Sequence, residues 1–392
     1  MKSQRRLPPI WLSATALTAA ITVAFGVIRW VDHFLSAPDA EDFRLHLVAA
    51  RVGVQYGWSH IYDLQLMKAA SAGLGSVGSV VDTNHVFMSP PPAAWMVAPI
   101  AGLPLPAAYL LWTLISVAAF MAAWWLVVPG SRLFRVTVLL ISLALWPVHY
   151  QFWLGQWVVA TLALLALCWW LLERDRWVLA GVVLALSMLF KPQDVLLVPL
   201  ALLVSGRWKP VAVAAVTGGA FAAWSLASLG QSGVQSWLSI AGQIHADPFQ
   251  APMTYSSLLG RGALTTGVEV LLGIAAIGLA WHRRDRLDLV IALGIVGSTA
   301  SATYLHEDDI AILVLAAWLV LRSQPSVPQR MWLIVGIAAA QFLAIGLPVP
   351  MLLWEPVWIG MLGLEPWLRR RDQTVPNSLT VTPSSLSAEK SG

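Results

Sequence analysis

Charge is the scarcest commodity in this chain. Only 11% of its 392 residues are Asp, Glu, Lys or Arg, against roughly 25% in an ordinary soluble domain. A water-soluble fold of this length could not cover its surface with so few charged groups. Cysteine is nearly absent. Cys168 stands alone inside an apolar run, which excludes an intramolecular disulfide and any metal cluster built from cysteine. The expected role of Cys168 is that of a small buried hydrophobe. The sequence holds no Gly-rich phosphate loop, no histidine spacing that fits a zinc site and no Ser–His–Asp arrangement of informative spacing. It has no basic stripe interleaved with aromatics, so a nucleic-acid partner is not expected. Hydrophobic residues make up 58%, and there are 22 Trp. That content excludes a disordered chain, and Trp favours the headgroup level of a bilayer. The expected fold class is an all-α polytopic membrane protein.

Apolar runs bounded by charges or by Pro and Gly predict a bundle of about twelve transmembrane helices. They start near Ile10, Ala93, Val136, Trp157, Trp177, Val195, Val211, Ala263, Leu289, Ile310, Met331 and Met351. Residues 1–371 read as one integral membrane domain, with outer loops at 31–92 and 230–262, and 372–392 as a disordered cytoplasmic tail rich in Ser and Thr. The first span reads as an uncleaved anchor, because Pro38 follows Ser36–Ala37 and makes a poor cleavage context.

Orientation follows from the basic residues. Lys2, Arg5 and Arg6 precede the first span and favour a cytoplasmic N-terminus. Alternation then puts Arg132, Arg135, Arg174, Arg176, Arg207, Lys209, Arg283, Arg284, Arg286, Arg322, Arg330 and Arg369–Arg371 on the same side, and the C-terminus too. Of the 24 basic residues, the opposite side keeps Arg29, Arg44, Arg51, Lys68, Lys191 and Arg261. Every histidine except His282, and most acids, fall on that opposite side or at its membrane edge. The expected localisation is a multi-pass cell-membrane protein whose chemistry, if any, is extracytoplasmic, where nucleotide donors are absent.

Within the first outer loop, Phe43, Leu47, Ala50 and Val54 recur at helical spacing, with Arg44 and Arg51 on another face. This predicts a short amphipathic helix lying in the interface. Ala70–Val81 reads as a flexible Gly/Ser loop, and Pro90–Pro92 as the rigid entry to a helix.

Four constellations could carry chemistry. Asp39, Glu41 and Asp42, in DAEDF, follow the first span. A carboxylate at the rim of a cavity suits a general base, while the plain alternative is a solvated acidic loop. In Phe190–Asp194, FKPQD, Lys191 is a cation on the sparsely basic side, placed to hold a phosphate or simply snorkelling. His149–Trp157, HYQFWLGQW, offers Gln151 and Gln156 beside aromatic rings, which suits sugars and equally an aromatic belt. In Thr303–Asp309, TYLHEDD, His306 could donate to a phosphate oxygen, and Asp308 and Asp309 could bind sugar hydroxyls or a divalent cation; a bare charged turn explains it as well. Glu269 is an acid inside a span, a functional candidate by default.

Taken in order, these motifs resemble glycosyltransferase family 87, membrane-embedded enzymes of the C-type class. The matching residues are Asp42–Phe43 with His46 and Ala49–Ala50, then Tyr62–Asp63 and Phe87–Trp112. Gly155–Gln156, Lys191–Pro192–Gln193 and Tyr304–Asp309 follow. Where the family often carries Tyr four residues after the Asp, this chain has His46. The resemblance implies a C-type bundle and an inverting transferase. Its donor would be a polyprenyl-phosphate sugar, a hexose or pentose such as mannose or arabinofuranose with a mannose-like sugar first, and its acceptor a lipid or glycan hydroxyl on the extracytoplasmic face. It implies Asp42 as the base and Lys191 and His306 as holders of the lipid phosphate. Asp39, Arg44, Asp63, Gln156, Gln193 and Asp309 are expected to contact substrate, and no cofactor or metal is indicated. A transporter or lipid flippase without covalent chemistry is the alternative, with a non-catalytic scaffold behind it.

Overall fold

The computed structural model describes residues 9–36, 41–72, 74, 86–246 and 252–374. Among them there are helices and turns and no strand. In chain order the helices are α1 (Ile10–Ser36), α2 (Glu41–Tyr56), α3 (Leu64–Ala72), α4 (Pro91–Val97), α5 (Leu105–Val127) and α6 (Arg132–Ala144). Then come α7 (Trp146–Leu154), α8 (Val158–Leu172), α9 (Trp177–Ser187), α10 (Leu197–Val204), α11 (Trp208–Ala246) and α12 (Ser256–Leu259). The chain closes with α13 (Ala263–His282), α14 (Leu287–Ala300), α15 (Leu313–Arg322), α16 (Val327–Phe342) and α17 (Val349–Thr374).

Five of the described helices are long and apolar enough to cross a membrane, and six if α6 and α7, bent by 61°, form one broken span. The expectation of about twelve full spans is therefore not confirmed: most of the expected starts fall within a few residues of a helix start, but most of the helices are too short to span. A helix such as α8 rises only about 22 Å at 1.5 Å per residue, less than a hydrocarbon core of roughly 30 Å. Of these shorter helices α8 and α14 have no exposed residue, whereas α9 and α10 still expose Leu179, Leu200 and Leu203. Every residue of α14 except Asp288 is buried, as expected of a helix apolar on all sides. It fits because small residues let neighbours close in: a Cβ on Gly294 would lie 2.8 Å from the Cα of Val198. Conversely, α1 exposes Trp11, Leu17, Ile21, Phe25 and Ile28, and α13 exposes Leu264, Leu271 and Ile274. Such continuous apolar surface is foreign to a soluble monomer and natural against lipid.

The first outer loop departs from expectation. The span anticipated from Ala93 begins only at Leu105; α4 is a short helix whose Pro91, Pro92, Ala93 and Ala94 are buried. The predicted amphipathic helix exists as α2, but it does not lie on a surface. Phe43, Leu47 and Ala50 are buried, and so are Arg44 and His46 from its polar side; of the four predicted apolar positions Val54 alone is exposed, in the last turn with Gln55 and Tyr56. The reason is that α3, α4 and the turn Trp58–His60 all pack on it. Ala70–Ala72, expected in the flexible loop, end α3, while residues 75–81 lie outside the described residues. The segment 230–262, read as a loop, is largely helical: α11 continues to Ala246 after a break at Gly230, whose φ of 61° only glycine adopts at little cost. Likewise α17 runs to Thr374, and the rest of the expected tail lies outside the described residues.

Two hydrophobic clusters result. The larger fills the helix bundle and the smaller holds α2, α4 and the start of α5. Trp157 and Phe190 belong to the smaller and Val158 and Val195 to the larger, so two of the sequence motifs lie on the seam between them.

Candidate functional site

Aromatic stacking joins motifs far apart in the chain. The rings of Trp157 and Phe190 stack at 4.3 Å and 5°. Trp112 meets Trp157 edge-on at 4.4 Å, and Phe43 stacks on Trp112 at 5.8 Å. This column ties Gln156, Lys191 and Asp42, each a neighbour in sequence of one of these rings, to one side of the seam. Offset and edge-on pairs of this kind add roughly 0.5–1.5 kcal/mol beyond their burial.

Gly155 completes the approach. It ends α7 in the left-handed region, φ 71°, and a Cβ there would lie 2.6 Å from that of Phe43. Its carbonyl accepts from Trp112 Nε1 at 2.9 Å. Held so, the Gln156 amide donates to Asp42 Oδ2 at 2.6 Å, while its own oxygen has no hydrogen-bond partner among the described residues. Asp42 itself is only half-buried.

His46, one helical turn on, shapes the same corner. Its Nδ1 lies 2.6 Å from the Asp42 carbonyl and its Nε2 3.2 Å from Ser89 Oγ. A carbonyl can only accept, so Nδ1 carries the proton and the Ser89 hydroxyl donates to Nε2. Burial, together with the charge of Lys191 and against that hydrogen bond, brings the imidazole down from 6.5 to about 4. It is neutral at pH 7.

Lys191 lies in the turn between α9 and α10, 8% exposed. Its ammonium pairs with Asp308 Oδ2 at 2.7 Å and with Asp309 Oδ1. Burial alone would lower its pKa, but the charges of Asp308, Asp309 and Asp194 carry it well above the ordinary value. It is a paired cation rather than a bare one, and carboxylates outnumber it. Asp309 Oδ2 accepts the backbone N–H of His306 at 2.8 Å, so both its oxygens are committed. His306 Nε2 then sits 3.0 Å from the Tyr304 hydroxyl. Burial raises the Tyr304 hydroxyl, and the charges of Asp309, Lys191, Asp308 and Asp42 all act on it. Asp42 and the Lys191 cluster thus share one electrostatic neighbourhood.

The remaining candidates are placed as follows. Gln193 is half-buried in the Lys191 turn. Arg44 is buried in α2. Asp63 Oδ1 accepts the N–H groups of Gln65 and Leu66 at 2.9 and 3.1 Å, capping α3. Asp39 lies outside the described residues. Glu269 is buried in α13, within electrostatic reach of Tyr255 along with the fully buried Glu355. Sequence reasoning missed Ser89 and Glu355, and it placed Asp194 in the FKPQD turn without giving it a role. Asp194 is wholly buried with neither carboxylate oxygen hydrogen-bonded among the described residues, and its place in the FKPQD turn was the available signal.

An apolar cavity of about 460 Å³ runs between α1, α6, α15 and α16. Leu12, Val138, Trp318 and Ile337 are among its walls, and Val148, Ile310 and Ala311 carry it to the residues that follow Asp309.

The sequence model of glycosyltransferase family 87 matches residues 87–305, more than half of the chain. The chain belongs to glycosyltransferase family 87. That decides between the enzyme and the transporter readings: this is a glycosyltransferase, and its apolar helices make it a membrane one. The family 87 match takes in Ser89, Gln156, Lys191 and Tyr304, and it begins after Asp42 and ends before His306. No curated protein and no solved structure matches the chain.

Proposed function

We propose that this family 87 enzyme transfers a sugar, mannose-like, from a polyprenyl phosphate to an acceptor hydroxyl at the extracytoplasmic face of the cell membrane, with inversion. The observation that carries the reading is a half-buried Asp42, held by the Gln156 amide, within electrostatic reach of Tyr304, whose hydroxyl meets His306. Asp42 takes the hydroxyl proton as the acceptor oxygen bonds to the anomeric carbon. The bond from that carbon to the phosphate oxygen breaks, and its electron pair leaves with the lipid phosphate. A positioned base of this kind is worth roughly 10²–10⁴-fold.

His306 faces the departing phosphate in this reading. Lys191 acts through it, by locking Asp308 and Asp309 and hence the turn that carries His306. The polyprenyl chain lies in the apolar cavity, whose walls include Ile310 and Ala311, next in sequence to that turn. Gln156 and Gln193 meet the sugar.

The test is transfer itself. Full-length protein in nanodiscs is given polyprenyl-phosphate mannose labelled at the anomeric carbon, and the glycoside formed is read by NMR. The reading expects a product of opposite anomeric configuration that requires the lipid donor. Retained configuration, or lipid movement across the bilayer without a glycoside, overturns it.

A further inference from the structure

The turn that carries His306 is fixed by its backbone. The His306 N–H donates to Asp309 Oδ2 at 2.8 Å, and the Leu305 carbonyl accepts the Met253 N–H at 3.1 Å. Leu305 itself is fully buried. These bonds place the His306 backbone but do not decide which ring nitrogen carries the proton. A neutral imidazole has an N–H on one nitrogen and a lone pair on the other. Only the N–H can hold a phosphate oxygen, so the placement of one proton decides what His306 can bind.

One side chain addresses that choice. The Tyr304 hydroxyl lies 3.0 Å from His306 Nε2, and the two rings meet edge-on at 5.0 Å and 69°. Burial favours the neutral phenol, so the hydroxyl keeps a proton to give. Two acceptors are within its range: Nε2, and the Met88 sulfur at 3.7 Å. A thioether is a weak acceptor and an imidazole lone pair a strong one, and the nitrogen is also the nearer. The other ring nitrogen, Nδ1, makes no hydrogen bond to a described residue, and His306 is only half-buried.

We infer that Tyr304 is a positioning residue: its hydroxyl donates to Nε2 and holds His306 as the Nδ1–H form, which leaves that N–H to a phosphate oxygen of the lipid donor. The hydrogen bond made by one ring nitrogen sets the state of the other. A free imidazole of histidine prefers the proton on Nε2. Without the Tyr304 hydroxyl the proton returns there, and Nδ1 then presents a lone pair that repels a phosphate oxygen. The tautomer stands on the Tyr304–His306 geometry alone; what Nδ1–H meets rests on the transferase reading above. The opposite arrangement sends Nε2–H to the Tyr304 oxygen and the phenol proton to Met88, and it is the outcome that sinks the inference.

Two measurements on the full chain in nanodiscs test it. In the first, isotope-labelled histidine is followed by solid-state nitrogen NMR at about pH 9, above the ordinary histidine range. The His306 signals are those missing from His306→Gln. The expected result is a proton on Nδ1 in the wild type and on Nε2 in Tyr304→Phe, which keeps the aromatic ring. A proton on Nε2 in the wild type, or the same tautomer in both proteins, overturns the inference; the wild-type spectrum can do so even where Tyr304→Phe does not fold. In the second, sugar transfer is compared in a double-mutant cycle. Tyr304→Phe is expected to lower kcat by roughly ten-fold, the worth of one hydrogen bond, and to have no further effect when added to His306→Gln. An equal fall in the His306→Gln background shows that Tyr304 acts by another route and overturns the inference. A wild type that transfers no sugar removes the transferase reading, while the NMR result still decides the tautomer, so the two fail separately.

Discussion

Two carboxylate settings lie side by side in this protein, and they differ in what they leave available. Asp308 and Asp309 are buried against the Lys191 ammonium, and Asp309 also holds the His306 backbone. Asp42 is half-buried and accepts from a neutral amide. A carboxylate committed to a buried cation cannot take a proton without breaking the pair. One that is half-buried and oriented by an amide can. In the proposed reading chemistry therefore belongs to Asp42 and architecture to the Lys191 cluster, although all three acids belong to motifs that look equally functional in the sequence.

The largest effect is expected on the architectural side. Lys191→Ala would leave buried carboxylates without their cation, and removing one partner of a buried pair costs roughly 3–5 kcal/mol. The measurement is thermal unfolding in detergent, and a melting temperature within a degree of wild type would contradict the pairing. Slightly smaller is the effect of acid through His46. Its folded pKa lies below the unfolded value, so the unfolded chain binds the proton first. Stability should fall as pH drops from about 6.5 to about 4, by roughly 3 kcal/mol in all. His46→Gln should flatten that part of the stability–pH curve; an unchanged slope would show that another group causes it. Gly155→Ala should cost about 1–3 kcal/mol, because it puts a Cβ into Phe43 at a positive φ. It should also lower transfer by displacing Gln156. Full activity in a destabilised Gly155→Ala protein would separate the Gln156–Asp42 contact from turnover.

Much of the helix layout was legible because hydrophobic runs are local. The apolar starts at Ile10, Trp177 and Ala263 coincide with the starts of α1, α9 and α13. Span length was not legible, since a run of apolar residues looks alike whether it faces lipid, as α1 does, or protein on all sides, as α14 does. The fate of α2 was hidden for the same reason: its periodicity gave a helix, but its cover comes from α3 and α4. The site motifs were visible as clusters of polar residues, yet their division of labour was not. Gln156 reaches Asp42 across 114 residues and Lys191 reaches Asp308 across 117. Nothing in either local sequence announces such a partner. Family membership then covers residues 87–305 and leaves Asp42 to be argued from geometry.

The sharpest measurement sets the two kinds of acid against each other by the same isosteric change. Asp42→Asn and Asp308→Asn are each assayed for sugar transfer from polyprenyl-phosphate mannose and for thermal unfolding. The account predicts that Asp42→Asn melts with the wild type and loses transfer by at least about 100-fold, whereas Asp308→Asn melts early. Near-normal transfer by a well-folded Asp42→Asn protein would contradict it.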